Sequence, residues 1–307
     1  MNFVPVRFVD SVILFNWNGE RAQPSKLSSV WGERGTFLSE KRVDVTLNFS
    51  DTNTGAFQFS FETGNERRVD TNEVFALPDQ FLISKVCFMG RYGTKDGRKL
   101  TGEDTERIKH ILKNSTVPVD NMECWTSDDS VDSNDFVWEL IPAIPCIRKI
   151  ECSSSLFVPE KMRDRTAEFV RLVLARVEQL RCRCTEDDLQ AFTEAIMVNW
   201  LSSDSQKDAI VQLESECNYE ALMMATASDK FRNFTWSRKQ FKLGDINDDD
   251  CKVRDVYTLQ TVGGEKRMLV NCVLDNEFSV FTYRVVRDCE TYDEALEYVF
   301  AMFDGIE

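Results

Sequence analysis

One spacing recurs five times along this 307-residue chain. It runs apolar, two residues, apolar, one residue, then Cys or a substitute, and two residues later a polar position. The full copies are Val119-x-x-Met122-x-Cys124-x-x-Ser127, Ile147-x-x-Ile150-x-Cys152-x-x-Ser155 and Val177-x-x-Leu180-x-Cys182-x-x-Thr185. A weaker copy precedes them at Ile83-x-x-Val86-x-Phe88, and another follows at Ile210-x-x-Leu213-x-Ser215-x-x-Asn218. Successive copies start 36, 28, 30 and 33 residues apart. A motif with a period of roughly 20–50 residues marks stacked supersecondary units, none of which can bury its apolar face alone.

Between about 80 and 218 the pattern predicts short strands alternating with helices. The strands centre on Val86, Met122, Ile150, Leu180 and Leu213, and the helices cover 102–114, 133–142, 159–176 and 186–207. Thr185, with Asp188 three residues on, has the spacing of a helix start close to a capping box. Strand, helix, parallel strand is the unit of a right-handed α/β coil. The motif resembles the leucine-rich repeat, which implies a solenoid and hence a binding surface.

Alternate residues of such strands face opposite sides. Met122 and Cys124 go inward, leaving Asn121, Glu123 and Trp125 on the open face. The equivalents are Lys149, Glu151 and Ser153, then Gln179, Arg181 and Arg183, then Gln212, Glu214 and Glu216. Trp and Arg dominate interface hot spots, so Trp125, Arg181 and Arg183, with Lys149 and Glu151, are the candidate substrate-binding residues.

Outside the repeats, Val4, Phe8, Val12 and Ile13 form a helical stripe after Pro5, and Leu27, Val30, Trp31 and Leu38 form a second. Val43, Val45, Leu47 and Phe49 alternate, as do Phe57, Phe59 and Phe61 across a turn at 51–55, which predicts a hairpin with one apolar face. Near the C-terminus, 256–261 and 268–273 flank Gly263-Gly264 as a second hairpin, and 278–285 reads as a further strand. Tyr292 to Phe303 reads as an amphipathic helix that would cap the solenoid.

Composition narrows the function classes. Net charge is −15, so the chain lacks the basic footprint of a nucleic-acid binder and is disfavoured at an anionic membrane. No apolar run approaches the roughly 18 residues of a membrane span, and Met1 to Asp10 carries no signal-peptide pattern. The reading is therefore an intracellular protein, cytoplasmic or nuclear, whose ten cysteines are thiols. Cys124, Cys152 and Cys182 then serve as small inward-facing hydrophobes.

No catalytic residue, metal site or cofactor is predicted. The sole histidine, His110, falls between charged neighbours on a predicted helix, and no phosphate loop, dinucleotide fingerprint or Gly-x-Ser-x-Gly elbow occurs. Cys182-Arg-Cys184 has one intervening residue where zinc sites have two to four, with no matching pair. The run Asp248 to Asp250 lacks the Gly and terminal Glu of a calcium loop.

Residues 5–42 resemble a diverged F-box, carried by Val4-Pro5, Phe8, Val12, Ile13, Leu27, Val30 and Trp31. Together with the irregular repeats, they make the chain similar to the nematode families of F-box and F-box-like proteins. The resemblance implies a substrate adaptor of a cullin–RING ubiquitin ligase. Pro5, Phe8, Val12, Leu27 and Trp31 would bind the ligase adaptor, and the repeats would hold a protein substrate. The chain departs from the motif at Phe15-Asn-Trp-Asn-Gly19, which is less apolar than the motif interior, and at Val4, where Leu is usual. Two alternatives stay open: a scaffold with a decayed F-box, and a small-molecule enzyme on an α/β framework.

The expected fold is thus α/β, a short irregular leucine-rich-repeat-like solenoid with a helical N-terminal segment and an α+β C-terminal cap. Its expected divisions are 1–42 as the F-box-like segment, 43–79 as hairpin and linker, 80–228 as repeats, and 229–307 as the cap.

Overall fold

The computed structural model describes residues 9, 30–41, 43–51, 57–89, 97–115, 118–125, 131–153, 159–202, 210–215, 234–243, 252–261, 267–274, 279–286 and 294. The stripe Val4, Phe8, Val12 and Ile13, together with Pro5, Leu27, Glu216, the acidic run 248–250 and, Glu294 apart, the helix predicted over 292–303, lies outside them. The chain divides into two compact units, 1–148 and 149–307. Thirteen strands are described, in parallel and antiparallel ladders that do not close on themselves.

The first unit holds helix α1 (Val30–Lys41) and the expected hairpin of β1 (Val43–Asp51) and β2 (Phe57–Thr63). Short β3 (Arg68–Val69) folds back onto β2, and helix α2 (Thr71–Ala76) starts at Asp70, whose carboxylate accepts the Asn72 N–H at 3.0 Å. Strand β4 (Phe81–Phe88), short β5 (Arg98–Lys99), helix α3 (Gly102–Asn114), strand β6 (Val119–Cys124) and helix α4 (Val131–Leu140) follow. β4 lies between β6 and β1, parallel to both, and β1 pairs antiparallel with β2.

Val45 pairs with Ile83 but Thr46 with Lys85, so Ser84 is the extra residue of a bulge. A side-chain period of two would otherwise turn either Ile83 or Val86 outward, yet both are buried. The three-residue apolar step of the sequence motif is, in β4, the trace of that bulge. Beyond it Val86 and Phe88 pair with Met122 and Cys124 on the core face, leaving Lys85 and Cys87 beside Asn121 and Glu123 on the other.

The core of this unit is aromatic. Leu47 pairs with Phe61 and Phe49 with Phe59; Phe49 stacks on Phe88 at 4.9 Å, and Phe136 of α4 reaches Phe49 edge-on at 5.1 Å. Such pairs add about 0.5–1.5 kcal/mol beyond area burial. At the sheet's edge, Phe75 of α2 meets Phe59 and Phe61 and lies 6.0 and 5.5 Å from the guanidinium carbons of Arg98 and Arg107. Arg98 also pairs with buried Asp104 at 2.9 Å, and Asp104 closes a reciprocal capping box with Thr101 at the start of α3. Gly97 permits this docking: a Cβ there would lie 2.9 Å from Gln58 Cβ and 3.3 Å from the Phe59 backbone.

The second unit contains β7 (Ile147–Ser153, which holds the division point), helix α5 (Pro159–Leu174), β8 (Val177–Cys184), helix α6 (Glu186–Ser202) and β9 (Ile210–Ser215). The Thr185 hydroxyl donates to the Asp188 carboxylate at 2.8 Å and accepts its N–H at 3.4 Å, so the α6 start is capped as the spacing predicts. Phe169 of α5 meets Phe192 of α6 edge-on at 6.4 Å. β10 (Phe234–Leu243), β11 (Lys252–Thr261), β12 (Arg267–Leu274) and β13 (Ser279–Val286) form an antiparallel meander. β13 pairs antiparallel with β9, and β9 pairs parallel with β8. Buried Tyr283 of β13 shares a 2.6 Å hydrogen bond with Thr193 of α6.

The expected leucine-rich-repeat-like solenoid with separate end pieces is overturned. The five strand centres do fall within β4, β6, β7, β8 and β9. However, the hairpin assigned to a division of its own (43–79) joins β4 through β1, and the meander expected as a cap continues the ladder from β9. The result is a large mixed sheet. Apolar spacing dictates where strand alternates with helix; it does not dictate what satisfies the bare N–H and C=O rows of an edge strand.

Replacing Gly97 by Ala should cost about 1–3 kcal/mol by overpacking β5 against β2. Urea unfolding measures the loss. Faster exchange of the Leu100 amide, which donates to Phe57 O at 2.8 Å, would localise it; unchanged stability and exchange would refute the close-packing account.

Candidate functional site

The inward positions named from sequence are inward. Met122, Cys124, Ile150, Cys152, Leu180, Cys182 and Leu213 are all buried. The outward positions separate into two patches, one in each unit.

In the second unit β8 alternates buried Leu180, Cys182 and Cys184 with Gln179, Arg181 and Arg183. Registry with β9 sets Arg181 beside Gln212 and Arg183 beside Glu214. The side chains form a ladder across the strands: Lys149 reaches Glu151 at 2.7 Å, Arg181 reaches Glu151 at 3.7 Å and Glu214 at 2.5 Å, and Arg183 lies 4.0 Å from Glu214. Gln179 donates to Gln212 at 3.1 Å. Half-exposed pairs of this kind contribute only about 0.2–1 kcal/mol each, so the ladder orders side chains more than it stabilises the fold. The carboxylates are the covered members, at 17% and 14% exposure, whereas Arg183 is 62% exposed. The sequence-predicted Lys149, Glu151, Arg181 and Arg183 are therefore brought together, with three cations held by two carboxylates.

In the first unit Glu123 is the hub of a smaller cluster. It takes Lys85 at 2.5 Å, the Asn121 side-chain amide at 2.8 Å and the Cys87 thiol at 3.8 Å. Trp125 follows β6, its N–H held by Phe88 O at 2.9 Å, and its side chain is 42% exposed as expected. Of the predicted adaptor-binding residues, Trp31 is half-buried on α1; Pro5, Phe8, Val12 and Leu27 fall outside the described residues.

Two thiols have shifted ionisation. Burial, reinforced by the Glu123 carboxylate and opposed by Lys85, pushes the Cys87 thiol up to about 12 from its ordinary 9.0. Hydrogen bonding with Cys152 and Cys184, then burial, holds Cys182 well above the same value. Cys182 and Cys184 have sulfurs 3.7 Å apart. The nucleophilic form is the thiolate, so neither shifted thiol is poised for attack at neutral pH. Since an unfolded thiol ionises near 9.0 and native Cys87 near 12, the stability this proton confers is whole below pH 9 and falls as pH rises above it.

Sequence reasoning missed an ion pair in the meander. Arg238 grips the carboxylate of Asp255 bidentately, at 3.1 and 2.7 Å, and its guanidinium carbon lies 6.0 Å from the Tyr257 ring. Asp255 is 2% exposed. The signal was available: period-two alternation sets Asp255 and Tyr257 on one face of β11, both buried, and a buried acid demands a cation.

Among the described residues no group of three or more His, Cys, Asp or Glu is placed to hold a metal ion, and no helix is long and apolar enough to cross a membrane. No protein-family model, curated protein or solved structure matches this chain.

Arg181→Ala should cost about 1–2 kcal/mol, because it strips a partner from two mostly covered carboxylates. Arg183→Ala should stay within about 0.5 kcal/mol. Urea unfolding of both variants checks this, and equal losses would refute the ladder's hierarchy. Iodoacetamide at pH 8.5 should label Cys87 and Cys182 no faster than the chain opens, read by peptide mass spectrometry; rapid native labelling would refute the raised ionisation.

Proposed function

We propose that the protein is a non-catalytic recognition protein of the cytoplasm or nucleus, acting as an F-box-like substrate adaptor of a cullin–RING ubiquitin ligase. Its partners on this reading are the ligase adaptor and a protein substrate, with no nucleic acid, membrane or cofactor involved. The carrying observation is Arg183: an arginine 62% exposed, at the end of a row of ion-paired neighbours that limit its freedom. An arginine whose surroundings are already ordered loses less entropy on binding, which favours a hot-spot role. On a chain of net charge −15, a local excess of cations also fits a carboxylate-bearing partner surface.

The ligase limb rests on the resemblance of residues 4–31, where Pro5, Phe8, Val12, Leu27 and Trp31 would face the adaptor. Trp125 offers a second, aromatic anchor for substrate.

A pull-down of purified ligase adaptor with the full chain tests this, beside a Pro5→Ala/Trp31→Ala variant whose fold is verified by circular dichroism. Binding by the wild type that drops at least about tenfold (1.4 kcal/mol) in the folded variant is expected. A wild type that fails to bind would remove the ligase limb and leave an interaction protein.

A further inference from the structure

We draw no further inference here: the strongest candidate, the outer edge of β10 at exposed Ser237, Arg238 and Lys239, carries nothing, because Asp255 already neutralises Arg238 and nothing in the structure shows what covers that edge.

Discussion

Both units are organised by what pairs with the edge of a parallel ladder. A strand left at an edge exposes a row of backbone donors and acceptors that must find water or another strand. In the first unit β4 has β6 on one side, and β1 supplies the other partner in parallel before β2 turns back antiparallel. In the second, β9 has β8 on one side and takes β13 antiparallel on the other. These two pairings recruit the hairpin and the meander into the sheet, and they determine which side chains become neighbours.

The bulge at Ser84 follows from the same pairing. It lets β4 match β1 while Ile83 and Val86 both stay in the core, and it delivers Lys85 and Cys87 to Glu123. One extra backbone residue therefore connects core packing to the polar cluster on the opposite face. The consequence for Cys87 is chemical: packed beside a carboxylate and away from water, its thiol is a structural group rather than a reactive one.

The outer face of β8 and β9 divides its charges by burial. Glu151 and Glu214 are covered and anchored, Arg181 bridges them, and Arg183 projects. Energetically the row adds little, because exposed pairs in water barely repay their desolvation and side-chain ordering. Its effect is positional.

Strand and helix positions were legible in the sequence because they follow from local periodicity: the inward set Met122, Cys124, Leu180 and Cys182, the capped start at Thr185, and the alternating Phe57, Phe59 and Phe61 all appear as read. The outward candidates Lys149, Glu151, Arg181 and Arg183 were legible for the same reason, since a strand's side-chain period is two. The partners across long separations were not. Arg238 with Asp255 and Lys85 with Glu123 depend on registers and strand pairings that no local window encodes. By itself the sequence determined the alternation of elements and the polarity of each face, because those are properties of neighbouring residues. The mixed sheet, the bulge and the cluster around Glu123 were decided only by the tertiary structure, because satisfying backbone edges is a long-range requirement that many local patterns can meet equally well.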